Sequence, residues 1–242
     1  GGALLDEPVH GTGRRRASIR SIVVASYDVL PPRERQALSR LAVFSGPFNR
    51  QAAEAVGVTS PSLVGLSQRS LLERSSRDSY ILHPLVSQYA SEQLPSEVTD
   101  ESAARGDHAT YFATLVRDSS PSLFTNPEAH SVIGSEQANV QAAWDWAVGL
   151  QDVELLTHLW KGLAVWNQQA GLHREWTASL TAAISCLRSD LDDPARSAML
   201  IQLLVAKAES LLWQGDLAGA FPLLEEARRH ADKVGILHLE AL

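Results

Sequence analysis

A histidine at the predicted junction between a strand and a helix is the residue best placed for chemistry in this chain. Residues 80–82 (Tyr-Ile-Leu) favour a strand, and Pro84 suits the first turn of a helix because its φ is fixed and its missing N–H would be unpaired there. Apolar residues recur at helical spacing in 85–90. His83 therefore lies at a helix N-terminus, where unpaired N–H groups and the helix dipole stabilise an anion such as phosphate. Two interpretations stay open, a hydrogen-bonded structural residue or a contact to phosphate.

The tryptophans are the second set of side chains that could bind a partner. They are Trp144, Trp146, Trp160, Trp166, Trp176 and Trp213. A tryptophan at helical spacing most often packs in a core, so we expect about four of the six to be buried. Trp160 and Trp166 lie six residues apart on one predicted helix, about 240° around its axis, and cannot both face the same direction. We therefore predict that at least one of these two faces a groove between helices, where it would anchor a protein or a small ligand.

Catalytic motifs are absent from the sequence. There is no Walker-type glycine loop, no G-x-G-x-x-G after a predicted strand, no G-x-S-x-G and no H-E-x-x-H. The eight histidines lack the spacing of a metal site. Cys186 lies in an apolar-rich run and is more typical of core packing than of a nucleophile. We expect this chain to have no enzyme activity, no metal site and no cofactor of its own.

Composition limits the classes of partner. The 242 residues have room for one large domain or two ordinary ones, and the formal net charge of −7 disfavours non-specific binding to nucleic acid. A single cysteine cannot form a disulfide framework, which favours a cytoplasmic location. No apolar run approaches the ~20 residues that span a bilayer, so we expect no membrane contact. The chain opens on Gly1 and stops inside a helical pattern, so we interpret it as a fragment of a longer protein.

The elements predicted before residue 96 describe a winged helix-turn-helix. We assign residues 1–17 to a linker and residues 18–95 to this domain. One proline pair, several glycines and apolar periodicity predict several helices, followed by a small two-stranded hairpin and the closing helix that starts at Pro84. The helices are predicted at about 18–30, 32–44, 50–56 and 61–72.

Residues 96–242 are predicted to be helical throughout, apart from a loop at 120–134. The last helix pair, 195–214 and 217–234, carries small residues at the positions where two helices cross. These are Ala208, Ala220 and Ala227, with a turn at Gly215. Close packing through small residues is the physical basis of a tetratricopeptide-like repeat, and stacked pairs form a concave groove. The predicted fold class is therefore mainly α, with a winged helix followed by a truncated helical repeat domain.

Five segments occur in the order typical of a family of regulators. They are 18–30 (SIRSIVVASYDVL), 40–48 (RLAVFSGPF), 52–56 (AAEAV), 82–90 (LHPLVSQYA) and 136–147 (EQANVQAAWDWA). The first four resemble the winged-helix segment of STAND-class signal-transduction ATPases, the bacterial relatives of NB-ARC proteins found in SARP-type and MalT-like transcriptional regulators. The fifth resembles the helix that opens their tetratricopeptide-like sensor. The resemblance covers roughly residues 18–235.

The resemblance implies a role for His83. The histidine of the family's Met-His-Asp motif contacts the β-phosphate of ADP and holds the protein inactive. This chain has Leu82-His83-Pro84 and matches at the histidine only. The family's P-loop and Walker B residues, which bind ADP or ATP with Mg²⁺, would lie upstream of this chain. The implied partners are that upstream nucleotide-binding domain and a protein or small-molecule effector in the repeat groove.

The alternative is a DNA-binding winged helix with a helical oligomerisation domain. Winged helices commonly place one helix in the major groove. The helix predicted at 61–72 offers Gln68 and Arg69, and the predicted wing offers Arg74 and Arg77. Phosphate contacts supply much of the affinity for DNA, and this surface has few arginines or lysines. We therefore expect the regulatory switch rather than DNA binding.

Overall fold

A computed structural model describes residues 11–75, 79–97, 101–189 and 193–234 of the chain. Within these ranges the chain forms twelve α-helices and three short strands, which confirms the mainly α class with a small β element. The residues divide into two compact units between Asp107 and His108. The domain boundary expected at 95/96 falls inside a helix instead, because Pro95 is accommodated within that helix rather than ending it.

The first unit contains five helices and all three of the described strands. The helices are α1 (Gly11–Asp28), α2 (Pro32–Leu41), α3 (Arg50–Ala55), α4 (Ser60–Gln68) and α5 (Pro84–Glu97). The strands are β1 (Phe48–Asn49), β2 (Glu73–Arg74) and β3 (Ser79–Ile81).

The sheet has three antiparallel strands in the order β1-β3-β2, whereas the sequence predicted only the hairpin of β2 and β3. β1 was missed because two residues are too few to show an alternating pattern. Phe48 is fully buried, stacks on Phe44 at 4.2 Å between ring centroids and lies opposite Tyr80 on β3. The burial of one aromatic side chain thus fixes β1 to the edge of the sheet.

α1 starts earlier than predicted. Residues 11–17 were assigned to a linker, but they form the first turns of α1; residues 1–10 lie outside the described part of the chain. Arginine has good helix propensity, and Gly11 and Gly13 fall in the first turn. The glycines and arginines that indicated a loop are therefore compatible with the start of a helix.

The second unit is helical. α6 (Glu101–Ser119) spans the division between the units and leads into a 3-10 turn at Ser120–Ser122. The remaining helices are α7 (Pro127–Ser135), α8 (Gln137–Leu150), α9 (Val153–Ala170), α10 (His173–Leu187), α11 (Pro194–Trp213) and α12 (Leu217–Val234).

α7 corrects the loop predicted at 120–134. The Asn126 side chain accepts a hydrogen bond from the Glu128 N–H, and Pro127 occupies the first helical turn. Asparagine at the N-cap followed by proline is a helix start, although the same pair also marks turns. Ile133 of α7 is fully buried, so packing favours the helix over the turn.

α11 is the central helix of the last four, because it packs against α9, α10 and α12. Ala208, Ala220 and Ala227 are buried, as the small-residue pattern predicts for the contact between α11 and α12. The turns between α9 and α10 and between α11 and α12 use glycine in the left-handed region, Gly171 at φ 72° and Gly215 at φ 79°.

Gly162 gives a direct test of packing in the second unit. A Cβ on Gly162 would collide with the side chains of Ser120 and Val116. We expect Gly162→Ala to lower the free energy of unfolding by about 1–3 kcal/mol, since overpacking outweighs the gain in helix propensity. Gly149→Ala is the control, because nothing lies within 4 Å of its Cβ position, and it should not lower stability. Urea unfolding of both variants measures this, and equal stabilities would contradict the packing at Gly162.

The burial of Glu136 predicts that the stability of the chain depends on pH. Burial raises the pKa of its carboxyl above the ordinary value, and the hydrogen bond from Asn139 opposes this in part. The folded state thus disfavours the ionised form, and this group's stabilising contribution is present at low pH and lost as pH rises through the raised pKa. Glu136→Gln keeps an acceptor for Asn139 and should raise the melting temperature at pH 7. The difference should vanish below about pH 4, where the wild-type carboxyl is protonated in both states. An equal rise in the melting temperature of Glu136→Gln at pH 7 and below about pH 4 would contradict this.

Candidate functional site

His83 lies between β3 and α5, where the sequence placed it. Its Nδ1 accepts a hydrogen bond from the Leu85 N–H at 3.2 Å, and its carbonyl accepts one from the Ser87 N–H at 2.9 Å. The imidazole therefore caps the N-terminus of α5. Pro84, the first residue of this helix, has no backbone N–H to donate. The side chain is exposed, so Nε2 is the ring's remaining polar atom.

The surface beside His83 is uncharged and mixes apolar side chains with a few hydroxyl groups. A cavity of about 520 Å³ lies between the start of α5 and the segment that follows α2, and none of its lining residues is charged. Among them are the hydroxyl groups of Ser45, Ser87 and Ser91. An anion at this junction would rely on the helix dipole, on hydroxyl donors and on His83.

The DNA-contact candidates that the structure describes are Gln68, Arg69 and Arg74. α4 contains no charged residue; Gln68 is exposed at its end, and the Arg69 guanidinium donates to the Glu34 carboxylate at 2.8 Å. The Arg74 guanidinium lies 5.8 Å from the centroid of the Tyr80 ring. Arg77 lies outside the described residues. Arg50, which the sequence did not single out, shares a cavity of about 320 Å³ with Arg74.

Four of the six tryptophans are buried, in the proportion expected. They include Trp160 and Trp166, which are only 7% and 5% exposed. Trp160 nevertheless lines a cavity between helices, and its role as an anchor for a ligand stays a prediction. Trp166 packs under α7 and donates from Nε1 to the His130 carbonyl at 3.2 Å. A 240° separation fails to expose either residue because neighbouring helices cover both sides of α9.

An aromatic cavity of about 430 Å³ lies between α9, α10 and α11. Trp160 and Trp176 contribute buried walls, and Trp213 is 65% exposed at its rim. The His173 and Trp213 rings stack with 6.3 Å between centroids and 10° between planes. The residues that carry its chemistry are Trp160, Lys161, His173, Trp176, Glu209 and Trp213. This cavity has the size and composition of a small-molecule site.

The turn after α11 positions Trp213. Trp213 is the last residue of α11, and the Gln214 amide and the Ser210 hydroxyl both donate to the His173 carbonyl, at 3.3 and 3.0 Å. These bonds hold the start of α10 against the end of α11. The sequence does show a tryptophan immediately before a glycine turn, but its exposure depends on how α10 and α11 pack.

Two charged side chains of opposite sign line the aromatic cavity. The Lys161 ammonium lies 5.4 Å from the centroid of the Trp160 ring, which is a cation–π distance. Glu209 is exposed one turn before Trp213 on the same face of α11. Neither forms an ion pair with another residue in the described part of the chain.

No protein-family model, curated protein or solved structure matches this chain. The described helices include none that is long and apolar enough to cross a membrane. Within the same residues there is no group of three or more side chains suited to hold a metal ion.

His83 provides a test of the junction. We expect His83→Ala to lower the free energy of unfolding of the chain by about 1 kcal/mol, because the Leu85 N–H loses its acceptor. His83→Asn should restore most of this, since asparagine is a good N-cap residue. Urea unfolding measures all three proteins. If the His83→Ala variant is as stable as the wild type, the imidazole does not cap α5.

Proposed function

We propose that this chain is the regulatory segment of a STAND-class signal-transduction ATPase, acting in the cytoplasm. In this proposal the first unit is a winged helix that responds to the nucleotide state of an upstream domain. The second unit is the start of a tetratricopeptide-like sensor that binds a protein or small-molecule signal. ADP holds the assembly inactive through His83, and a signal on the sensor releases it.

The order of elements in the first unit supports the winged-helix interpretation. α2, β1, α3, α4, β2 and β3 follow one another as in a winged helix, and β3 pairs with both other strands. β2 and β3 would then form the wing, and α5 the helix that follows it.

The observation that carries the nucleotide proposal is the state of His83. Its Nδ1 is engaged by its own helix, which fixes the ring and leaves Nε2 to donate to a phosphate oxygen. The dipole of α5 favours the same ligand. Pro84 stands where the family has aspartate, so the capping bond to Leu85 comes from the histidine itself.

Charge favours a switch over DNA binding. Residues 1–107 contain twelve basic and twelve acidic side chains and are therefore neutral overall. The uncharged surface of α4 and the engagement of Arg69 by Glu34 remove the contacts that a recognition helix normally makes.

DNA binding is the second candidate, and the cavity shared by Arg50 and Arg74 favours it. A gel-shift assay with random duplex at low salt separates the two functions. Retention that falls steeply with salt and is lost in an Arg50→Gln, Arg74→Gln double variant would favour DNA.

The nucleotide proposal is tested in the intact protein that contains the upstream domain. We expect His83→Ala to weaken ADP binding by about tenfold or more, because a hydrogen bond to a charged group is lost. His158→Ala, a histidine outside the junction, should leave it unchanged. Calorimetric titration with ADP provides the measurement, and equal affinities in wild type and His83→Ala would contradict the proposal. The 242-residue chain alone should release no phosphate from ATP.

A further inference from the structure

The aromatic cavity combines features that together select a ligand class. Its volume of about 430 Å³ lies within the range of small-molecule sites. Its walls present the indole rings of Trp160, Trp176 and Trp213, whose faces carry negative electrostatic potential. Such faces attract a cation held within about 6 Å of the ring centroid.

The charges around the cavity also favour a cationic ligand. Glu209 supplies a carboxylate that forms no ion pair with any described residue, one helical turn from Trp213. Residues 108–242 contain nine basic and sixteen acidic side chains, so the second unit carries the whole net charge of −7. A field of this sign raises the local concentration of cations.

We propose that the cavity between α9, α10 and α11 binds a small organic amine, a positively charged nitrogen on an apolar or aromatic body. The nitrogen lies between Glu209 and the indole of Trp213, and the apolar body lies against Trp160 and Trp176. This inference deepens the sensor role proposed above and depends on it for its biological meaning.

Lys161 acts in this site as an internal competitor. Its ammonium already lies over the face of Trp160, at 5.4 Å from the ring centroid. That contact is the interaction a ligand nitrogen would make with an indole of this cavity. An incoming amine is repelled by Lys161, so removal of this charge should strengthen binding.

The test uses three probes with the same phenyl group and different charges: phenethylamine, phenylalanine and 3-phenylpropanoate. Calorimetry on the 242-residue chain at low salt should give phenethylamine a Kd on the order of 1 mM or below. 3-Phenylpropanoate should bind at least about tenfold more weakly, because it carries the same charge as Glu209 and the surrounding unit.

Variants identify the residues involved. Glu209→Gln and Trp213→Leu should each weaken phenethylamine binding by about three- to thirtyfold, whereas Lys161→Gln should strengthen it. Glu175→Gln on α10 and Phe221→Ala on α12 are matched controls, exposed but outside the cavity lining, and should change nothing. Circular dichroism checks that each variant remains folded.

The inference would be overturned by no phenethylamine binding up to about 10 mM, by equal binding of the propanoate, or by unchanged binding in Glu209→Gln. Tightest binding of phenylalanine, with loss in Lys161→Gln, would instead assign a zwitterion and also reject the amine. None of these titrations involves nucleotide, so their failure leaves the ADP test of His83 unaffected.

Discussion

The apolar stripe of α5 is the contact on which the first unit depends. Val86, Ala90 and Leu94 recur at a spacing of four residues, and all three are buried where α5 packs against α1 and α2. Burying one leucine contributes about 1.5–3 kcal/mol, more than an exposed ion pair such as Arg20–Glu92 provides. Because this stripe fixes the axis of α5, it also fixes the N-terminus of the helix and the position of His83. The proposed nucleotide contact thus follows from hydrophobic packing one to three turns away.

The second unit depends on a different constraint, the close approach of α11 to its neighbours. Small buried residues permit it, and the His173 carbonyl accepts two hydrogen bonds that tie α10 to the end of α11. The same arrangement that brings Trp160 and Trp176 to the cavity walls leaves Trp213 at the rim. The aromatic cavity is therefore a consequence of how these helices end, and the apolar stripe of any single helix does not account for it.

Features set by neighbouring residues could be predicted from the sequence, and features set by tertiary packing could not. The strand, His83 and the helix from Pro84 were predicted because each depends on a few adjacent residues. α7 was missed because Asn126-Pro127 is compatible with both a turn and a helix start, and only the burial of Ile133 distinguishes them. Trp160 and Trp166 were preferred over Trp213 because helical geometry gives the angle between two side chains but not which neighbours cover them.

The central claim is the proposal that a phosphate of bound ADP contacts His83 at the start of α5. Hydrogen–deuterium exchange of the intact protein tests it most directly, in the peptide that contains residues 80–90. The account predicts slower exchange of the Leu85–Ser87 amides with ADP than without nucleotide, because a phosphate held by His83 stabilises the first turn of the helix. Identical exchange in the two states, with ADP binding verified in the same sample, would contradict it.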